Sequence, residues 1–409
     1  MNFETILTHG GWKSEENTRA CAVPIYQTSS FTLDDTQYAK DLFDGTKAGN
    51  IYTRIMNPTT DILEKRVAML EGGAGAIATS SGMSALLITA LTILKAGDEI
   101  VSSSALYGGS FNLLDVTLRK FGINTIFIES DDPKDFENAI TDKTRMIYGE
   151  TLANPRLTVF DIENVAKIAH KHNIPLVLDN TIPTPYLLKP IEWGCDIVIH
   201  SATKYLGGHG NSIAGIIVDS GNFNWKESGK FETLKDFEGA DAFIQKARAD
   251  MLRDTGACLS PFNAFMILQG IQTLALRMEK HTKNAEAVAK YLKESPYISW
   301  VNHPMFKEDE KFKKYLPKGT GGMLGFGIKG GFEAGSKFID NVKLLIHIAN
   351  IGDTRTLVIH PASTTHQQMS EEDRIKCGVP NDFIRMSVGI EDSEDIIKDI
   401  EQALEIACK

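Results

Sequence analysis

Asp179 closes the apolar run PLVLDN, and Lys204 follows the next such run in DIVIHSATKYLGGHG, 204 − 179 = 25 residues further on. That interval suits one strand–helix–strand step. In an open α/β sheet, ligands bind beyond the carboxyl ends of the strands, so both side chains would project into one crevice. An amine that can form an imine, and an acid that keeps a pyridine nitrogen protonated, are what pyridoxal phosphate requires. Each pKa unit by which the acid raises the ring nitrogen is about 1.36 kcal/mol of preference for the pyridinium. Taken singly, Asp179 is better explained as a turn cap and Lys204 as a solvated surface lysine. Ser201 and Thr203 change that balance, because they place two hydroxyls beside the lysine, where a phosphate could accept from them.

A second anion site is expected where Ser80, Ser81 and Gly82 precede a strongly apolar run that begins near Met83. A helix N-terminus with a glycine beside it offers unpaired N–H groups and a positive dipole end. Ser81 as a plain helix cap is the simpler alternative. The rival motif GAGAIA (73–78) is a loose dinucleotide fingerprint, and would make the chain a nicotinamide-binding protein. It follows the helical stretch DILEKRVAMLE instead of linking a strand to a helix, which weakens it.

Tyr107 follows the run EIVSSS, so it too falls near the carboxyl edge of the sheet, where an aromatic could stack on a pyridine ring. A buried core tyrosine is the alternative. Arg385, in FIRMSVGIED, lies within an apolar strand, where a guanidinium is costly unless paired. Its planar fork matches a substrate carboxylate, with an internal ion pair as the alternative. Cys195, His200 and His209 fit no zinc spacing, so no metal is expected. Gly207, Gly208 and Gly210 allow close backbone approach beside the lysine.

The elements that must position these residues form an α/β pattern. The runs 99–104, 125–130, 145–150, 175–180, 196–201 and 213–219 alternate with amphipathic stretches, as expected of a mostly parallel sheet covered by helices. DIENVAKIAHKH (161–172) puts Ile162, Val165, Ile168 and Ala169 on one face, with Asp161 at the N-terminal end, and reads as a crossover helix. Residues 1–55 read as an irregular arm lying across a neighbouring subunit, 56–256 as the large cofactor-binding domain and 257–409 as a smaller α+β domain. Residues 222–256 read as either an excursion between domains or a solvated connection. After Pro261 the pattern predicts a long helix over 262–291, strands near 322–328 and 383–388, and a final helix.

The 409 residues, 42% hydrophobic and 23% charged, suit a globular chain with more than one core. A net charge of −10 with dispersed acidic residues leaves no basic footprint for nucleic acid. Five scattered cysteines (Cys21, Cys195, Cys258, Cys377, Cys408), without CxxC spacing, suit a reducing compartment and read as small buried or surface thiols. No apolar run approaches the roughly 20 residues that span a bilayer, and residues 1–11 lack a signal pattern, so a cytoplasmic location is expected.

With these residues in place, the sequence resembles the Cys/Met-metabolism family of pyridoxal phosphate enzymes from about Thr8 to the C-terminus. The segments YTRIMNPT (52–59), SSGMSAL, ETLANP (150–155), LVLDNT, SATKYLGGHG, HPASTTH (360–366) and RMSVGIED (385–392) occur in the order that family shows. The resemblance implies the fold type I transferase architecture, with Lys204 bonded to the cofactor and acting in catalysis with Tyr107. It implies that Asp179 binds the ring nitrogen and Tyr107 stacks on the ring. It further implies that Gly82, Met83, Ser201 and Thr203 hold the phosphate. Tyr52 and Arg54 would reach the phosphate in a neighbouring subunit, which makes a dimer obligatory and suggests a homotetramer built as a dimer of dimers. Arg385 would bind the substrate α-carboxylate, with Asn154 nearby. The segment 350–369 resembles the branch that replaces the γ-substituent of O-acetyl-L-homoserine with sulfide, giving L-homocysteine and acetate. A γ-lyase or γ-synthase is the alternative. Gly109 stands where the family's methionine γ-lyases usually carry a cysteine, which disfavours the lyase.

Overall fold

The structure is a computed structural model describing residues 1–409 except 16, 308, 369 and 377. Its larger sheet contains β1 (Gly75–Thr79), β2 (Glu99–Ser103), β3 (Asn124–Ile128), β4 (Thr144–Glu150), β5 (Leu176–Asp179), β6 (Ile197–Ser201) and β7 (Gly215–Asp219). The spatial order is β1-β7-β6-β5-β4-β2-β3. β7 runs antiparallel to both β1 and β6, and the remaining pairings are parallel. Neighbouring residues on these strands enter different cores. Ile147, Leu176, Leu178 and Val198 join one apolar cluster, whereas Met146, Tyr148, Val177 and Ile197 join the other. Burial of both faces explains why the strands read as unbroken apolar runs. Each fully buried Ile, Leu or Val contributes about 1.5–3 kcal/mol relative to exposure.

Six of the seven strands coincide with the expected runs. β1 was not anticipated: GAIAT, overlapping the rival GAGAIA motif, forms a strand that leads through Ser80 to the helix Gly82–Ile93. The crossover helix spans Ile162–Lys171, with Ile162, Val165, Ala166 and Ala169 buried. Asp161 occupies its N-cap position, but its carboxylate accepts from Asn164 Nδ2 and the Tyr315 hydroxyl instead of a helix N–H.

The first residues depart from an irregular arm. Phe3–His9 forms a helix that buries Ile6 and Leu7, and the buried Arg66 donates from Nε to Gly10 O at 2.9 Å. An apolar pair plus a guanidinium that needs acceptors is enough to dock a helix of 7 residues. Residues 222–256 are no solvated connection either. Trp225, Phe231, Leu234 and Phe243 are buried, with Trp225 stacked on Phe243 at 5.3 Å, and they join the apolar cluster on one face of the larger sheet.

The expected long helix is two, Pro261–Gln272 and Leu274–Glu294, separated at Thr273. Beyond them a second sheet contains β8 (Ile298–Asn302), β9 (Met323–Ile328), β10 (Ile346–His347), β11 (Leu357–Ile359) and β12 (Phe383–Ser387), in the order β10-β11-β12-β9-β8. Leu324, Phe326, Ile384 and Met386 pack under the helices Leu274–Glu294, Gly331–Asn341 and Ser393–Ala407. Arg385, between Ile384 and Met386, therefore points to the opposite face of this sheet. Among the described residues no helix is long and apolar enough to cross a membrane. Cys21 is exposed, Cys195 buried, and Cys258 and Cys408 partly buried, all as free thiols; Cys377 lies outside the described residues.

Candidate active site

A cavity of about 300 Å³ opens beyond the carboxyl ends of β4, β5 and β6. Its lining includes Gly82, Met83, Tyr107, Asn154, Asp179, Ser201, Thr203, Lys204 and Arg385. Tyr52 and Arg54 are not part of it. They lie together elsewhere, with the Arg54 guanidinium 5.4 Å from the Tyr52 ring centre and Tyr52 41% exposed.

Asp179 and Lys204 reach the cavity by different devices. Asp179 is the last residue of β5, and its Oδ1 accepts from Thr181 N at 2.9 Å, so turn capping and cavity lining coexist in one side chain. Burial raises its carboxyl above the ordinary range, an effect that a cation at this position would reverse. Lys204 follows β6 on a loop anchored from the small domain's long helix. The buried Arg277 donates to Tyr205 O and Gly270 O at 2.7 Å each and to Leu206 O at 3.3 Å. Burial, and secondarily the charge of Arg385, lowers the Lys204 amine to about 8. Its Nζ donates to Asn350 Oδ1.

At the cavity's other end, Ser81 and Ser84 form a reciprocal cap on the helix Gly82–Ile93: Ser81 Oγ accepts from Ser84 N at 3.1 Å, and Ser84 Oγ from Ser81 N at 2.9 Å. The cap uses the third N–H of the helix and leaves those of Gly82 and Met83 toward the cavity. A Cβ on Gly82 would stand 2.7 Å from Ser201 Cβ, so only glycine lets this turn approach β6. The Ser201 hydroxyl has no partner among the described residues. Thr203 differs from the free donor expected: its hydroxyl accepts from Ala214 N at 3.0 Å and lies 3.2 Å from Ala214 O, bracing the loop that carries Lys204.

Tyr107 is 51% exposed, which removes the core alternative. Arg385 forms no ion pair with a carboxylate among the described residues, and its Nη2 lies 3.4 Å from Asn350 O. Asn154 Oδ1 is buried without a hydrogen-bond partner. Cys195, His200 and His209 do not converge: Cys195 Sγ contacts Ile197 O, His200 Nε2 the Glu71 carboxylate and His209 Nδ1 its neighbour Gly207 O.

Glu150 and Asn350 are among the lining residues not foreseen as site residues. Glu150, the last residue of β4, is in register with Asp179, and burial plus the Asp179 charge raises it to about 8. The strand-end rule that selected Asp179 applies equally to RMIYGE and would have found it. Asn350 arrives from the small domain, and no local pattern announces it.

A phosphate-sized end with free helix N–H groups and a hydroxyl, a buried acid at the other end, a lysine between them and the unpaired Asn154 Oδ1 fit pyridoxal phosphate. The comparisons agree. The family model described as Cys/Met metabolism PLP-dependent enzyme matches residues 4–405. The chain is 50% identical over 427 residues to sulfhydrylase FUB7 of Fusarium oxysporum, covering 100% of this chain and 98% of that one. It is also 50% identical over 425 residues to the O-acetyl-L-homoserine sulfhydrylase of Leptospira meyeri, covering 98% and 96%. Among solved structures, one from Campylobacter jejuni described as an O-acetylhomoserine (thiol)-lyase, with N'-pyridoxyl-lysine-5'-monophosphate, superposes with a TM-score of 0.95 at 37% identity, covering 99% and 100%.

Proposed function

The chain belongs to the Cys/Met-metabolism family of pyridoxal phosphate-dependent enzymes, and from that membership we propose that it performs γ-replacement on O-acetyl-L-homoserine with sulfide, giving L-homocysteine and acetate. The observation that carries this reading is the convergence on one cavity of Lys204, Asp179 and an Arg385 that has no carboxylate partner among the described residues. The O-acetyl-L-homoserine sulfhydrylase of Leptospira meyeri, at 50% identity, supports the choice of substrates.

Bound pyridoxal phosphate supplies an electron sink for the pair released when a C–H bond beside the substrate nitrogen breaks. Asp179 would hold the ring nitrogen protonated, and Tyr107 would lie against the ring. Gly82, Met83 and Ser201 would hold the phosphate, while Thr203 braces the loop. Arg385 takes the substrate α-carboxylate in its fork, with Asn154 alongside. That fixes which substrate bond faces Lys204. Lys204 Nζ removes the α-proton, then a β-proton as acetate leaves the γ-carbon, and returns protons to the β- and α-carbons once sulfide has taken acetate's place. With its amine lowered to about 8, a useful fraction is neutral near physiological pH. Tyr107 assists at the leaving group.

Tyr52 and Arg54, which do not line this chain's own cavity, serve the phosphate site of a second copy. The enzyme works as a homotetramer, a dimer of dimers, in the cytoplasm, a setting that suits its free thiols. A γ-lyase would share the bound chemistry. Gly109 favours replacement: a Cβ there would stand 2.5 Å from Tyr107 Cε1, so a larger residue would displace the ring from its present position.

The test is the purified holoenzyme with O-acetyl-L-homoserine and sulfide. Homocysteine and acetate in equal amounts are expected. Predominant 2-oxobutyrate would make it a lyase, and cystathionine formed preferentially from cysteine would make it a γ-synthase.

A further inference from the structure

Glu150 performs no step above, yet it lines the cavity. Its Oε1 accepts from Tyr107 N at 2.6 Å and its Oε2 from Asn154 N at 3.2 Å. One carboxyl group thus ties β4 to two loops, one carrying the stacking tyrosine and the other the asparagine beside the substrate. Both oxygens accept from N–H groups that can donate but not accept. Protonation would make one oxygen a poorer acceptor carrying a donor proton of its own, so this double clasp is strongest with the carboxylate.

The surroundings oppose that ionisation. Glu150 is buried, and its register neighbour Asp179 lies on the adjacent strand with its carboxyl facing the same cavity. The other groups facing it are the buried Tyr148 two residues back on β4, the Tyr107 phenol on its loop, and the cations Lys204 and Arg385 across the cavity. Neither cation forms a salt bridge with Glu150 or Asp179 among the described residues. Burial and Asp179 together hold Glu150 at about 8, so near neutral pH the clasp is weakened by protonation in the cofactor-free protein. A positive charge brought to Asp179 would favour ionisation of both carboxyls.

We propose that Glu150 is a positioning residue that couples the cofactor's charge to the order of the substrate site: the protonated ring nitrogen held by Asp179 keeps Glu150 ionised, which closes its clasp on Tyr107 and Asn154. This inference rests on pyridoxal phosphate binding here but not on the identity of the amino-acid substrate. By linkage, closing the clasp also strengthens cofactor binding.

The experiment measures hydrogen exchange at the Tyr107 and Asn154 amides in three samples of the wild-type protein at pH 7. One is cofactor-free, one is loaded with pyridoxal phosphate, and one with an analogue carrying carbon in place of the ring nitrogen. Loading is read separately, by intact mass after borohydride reduction, so a failure to bind is distinguished from a failure to couple. Pyridoxal phosphate should slow exchange at both amides about tenfold, the scale of one charge-assisted hydrogen bond, and the analogue should leave them near the cofactor-free rates. In Glu150→Gln, which keeps one acceptor and loses the charge, the two loaded forms should exchange alike. Raising the pH of the cofactor-free wild-type protein from 7 to 9 should itself slow both amides, after correction for intrinsic exchange. Equal protection by both cofactors, or an undiminished difference between them in Glu150→Gln, overturns the proposal; so does a flat pH profile.

Discussion

The two halves of the cavity are built in opposite ways. The cofactor half comes from one sheet, where Asp179 and Ser201 end β5 and β6, Lys204 follows β6, and the helix Gly82–Ile93 starts beside them. Their spacing is inherited from strand register, and the apolar clusters on both faces of the sheet hold it. The substrate half is assembled from afar: Arg385 from the middle of β12 and Asn350 from the loop between β10 and β11. The two halves meet where Asn350 takes Lys204 on its amide oxygen and Arg385 on its carbonyl. Damage to the first half should cost the cofactor, and damage to the second should cost the substrate alone.

The largest expected effect comes from Asp179→Asn. The amide cannot stabilise the pyridinium, and a loss of two to three pKa units of support corresponds to about 10²–10³-fold in turnover. Cofactor affinity measured by absorbance titration should fall along with it. Retention of wild-type turnover would remove the distinction between the halves. Arg385→Ala should raise KM for O-acetyl-L-homoserine by about 10²-fold, on the scale of one lost buried charge pair. Its visible cofactor absorption should remain that of the wild type; bleached protein would show that the halves are not separable.

A smaller effect sharpens the boundary between them. The reactive form of Lys204 is the neutral amine, which predominates above its pKa. The rate at which cofactor-free protein takes up pyridoxal phosphate covalently should rise with pH through a midpoint near 8. The same lysine in water would have its midpoint near 10.4. Removing the nearby positive charge in Arg385→Ala should move the midpoint upward by a fraction of a unit, because burial remains the main cause. A stopped-flow rate profile checks both.

Legibility in the sequence follows the same division. Asp179, Ser201, Thr203, Lys204 and Gly82 were found because strand-end chemistry and helix starts leave contiguous signatures. Arg385 was found as a charge stranded in an apolar strand. Asn350 could not be, since its role is a contact with Lys204 across 146 residues. β1 was obscured by a glycine-rich string that invited a different reading, and the helix Phe3–His9 by the polar residues around Ile6 and Leu7. The aromatics of 222–256 have no period, so their mutual packing shows only in three dimensions. Thr203 was correctly placed beside the lysine, but the engagement of its hydroxyl with Ala214 depends on a loop that returns 11 residues later.

The central claim is that Lys204 and Asp179 grip one cofactor from the tips of neighbouring strands. Borohydride reduction of the holoenzyme, followed by peptide mass mapping, tests it most directly. The pyridoxyl group should be found on the peptide containing Lys204 and, under the same mild conditions, on no other lysine. A label at a different lysine, or a coloured Lys204→Ala protein that is still labelled stoichiometrically, would contradict the account.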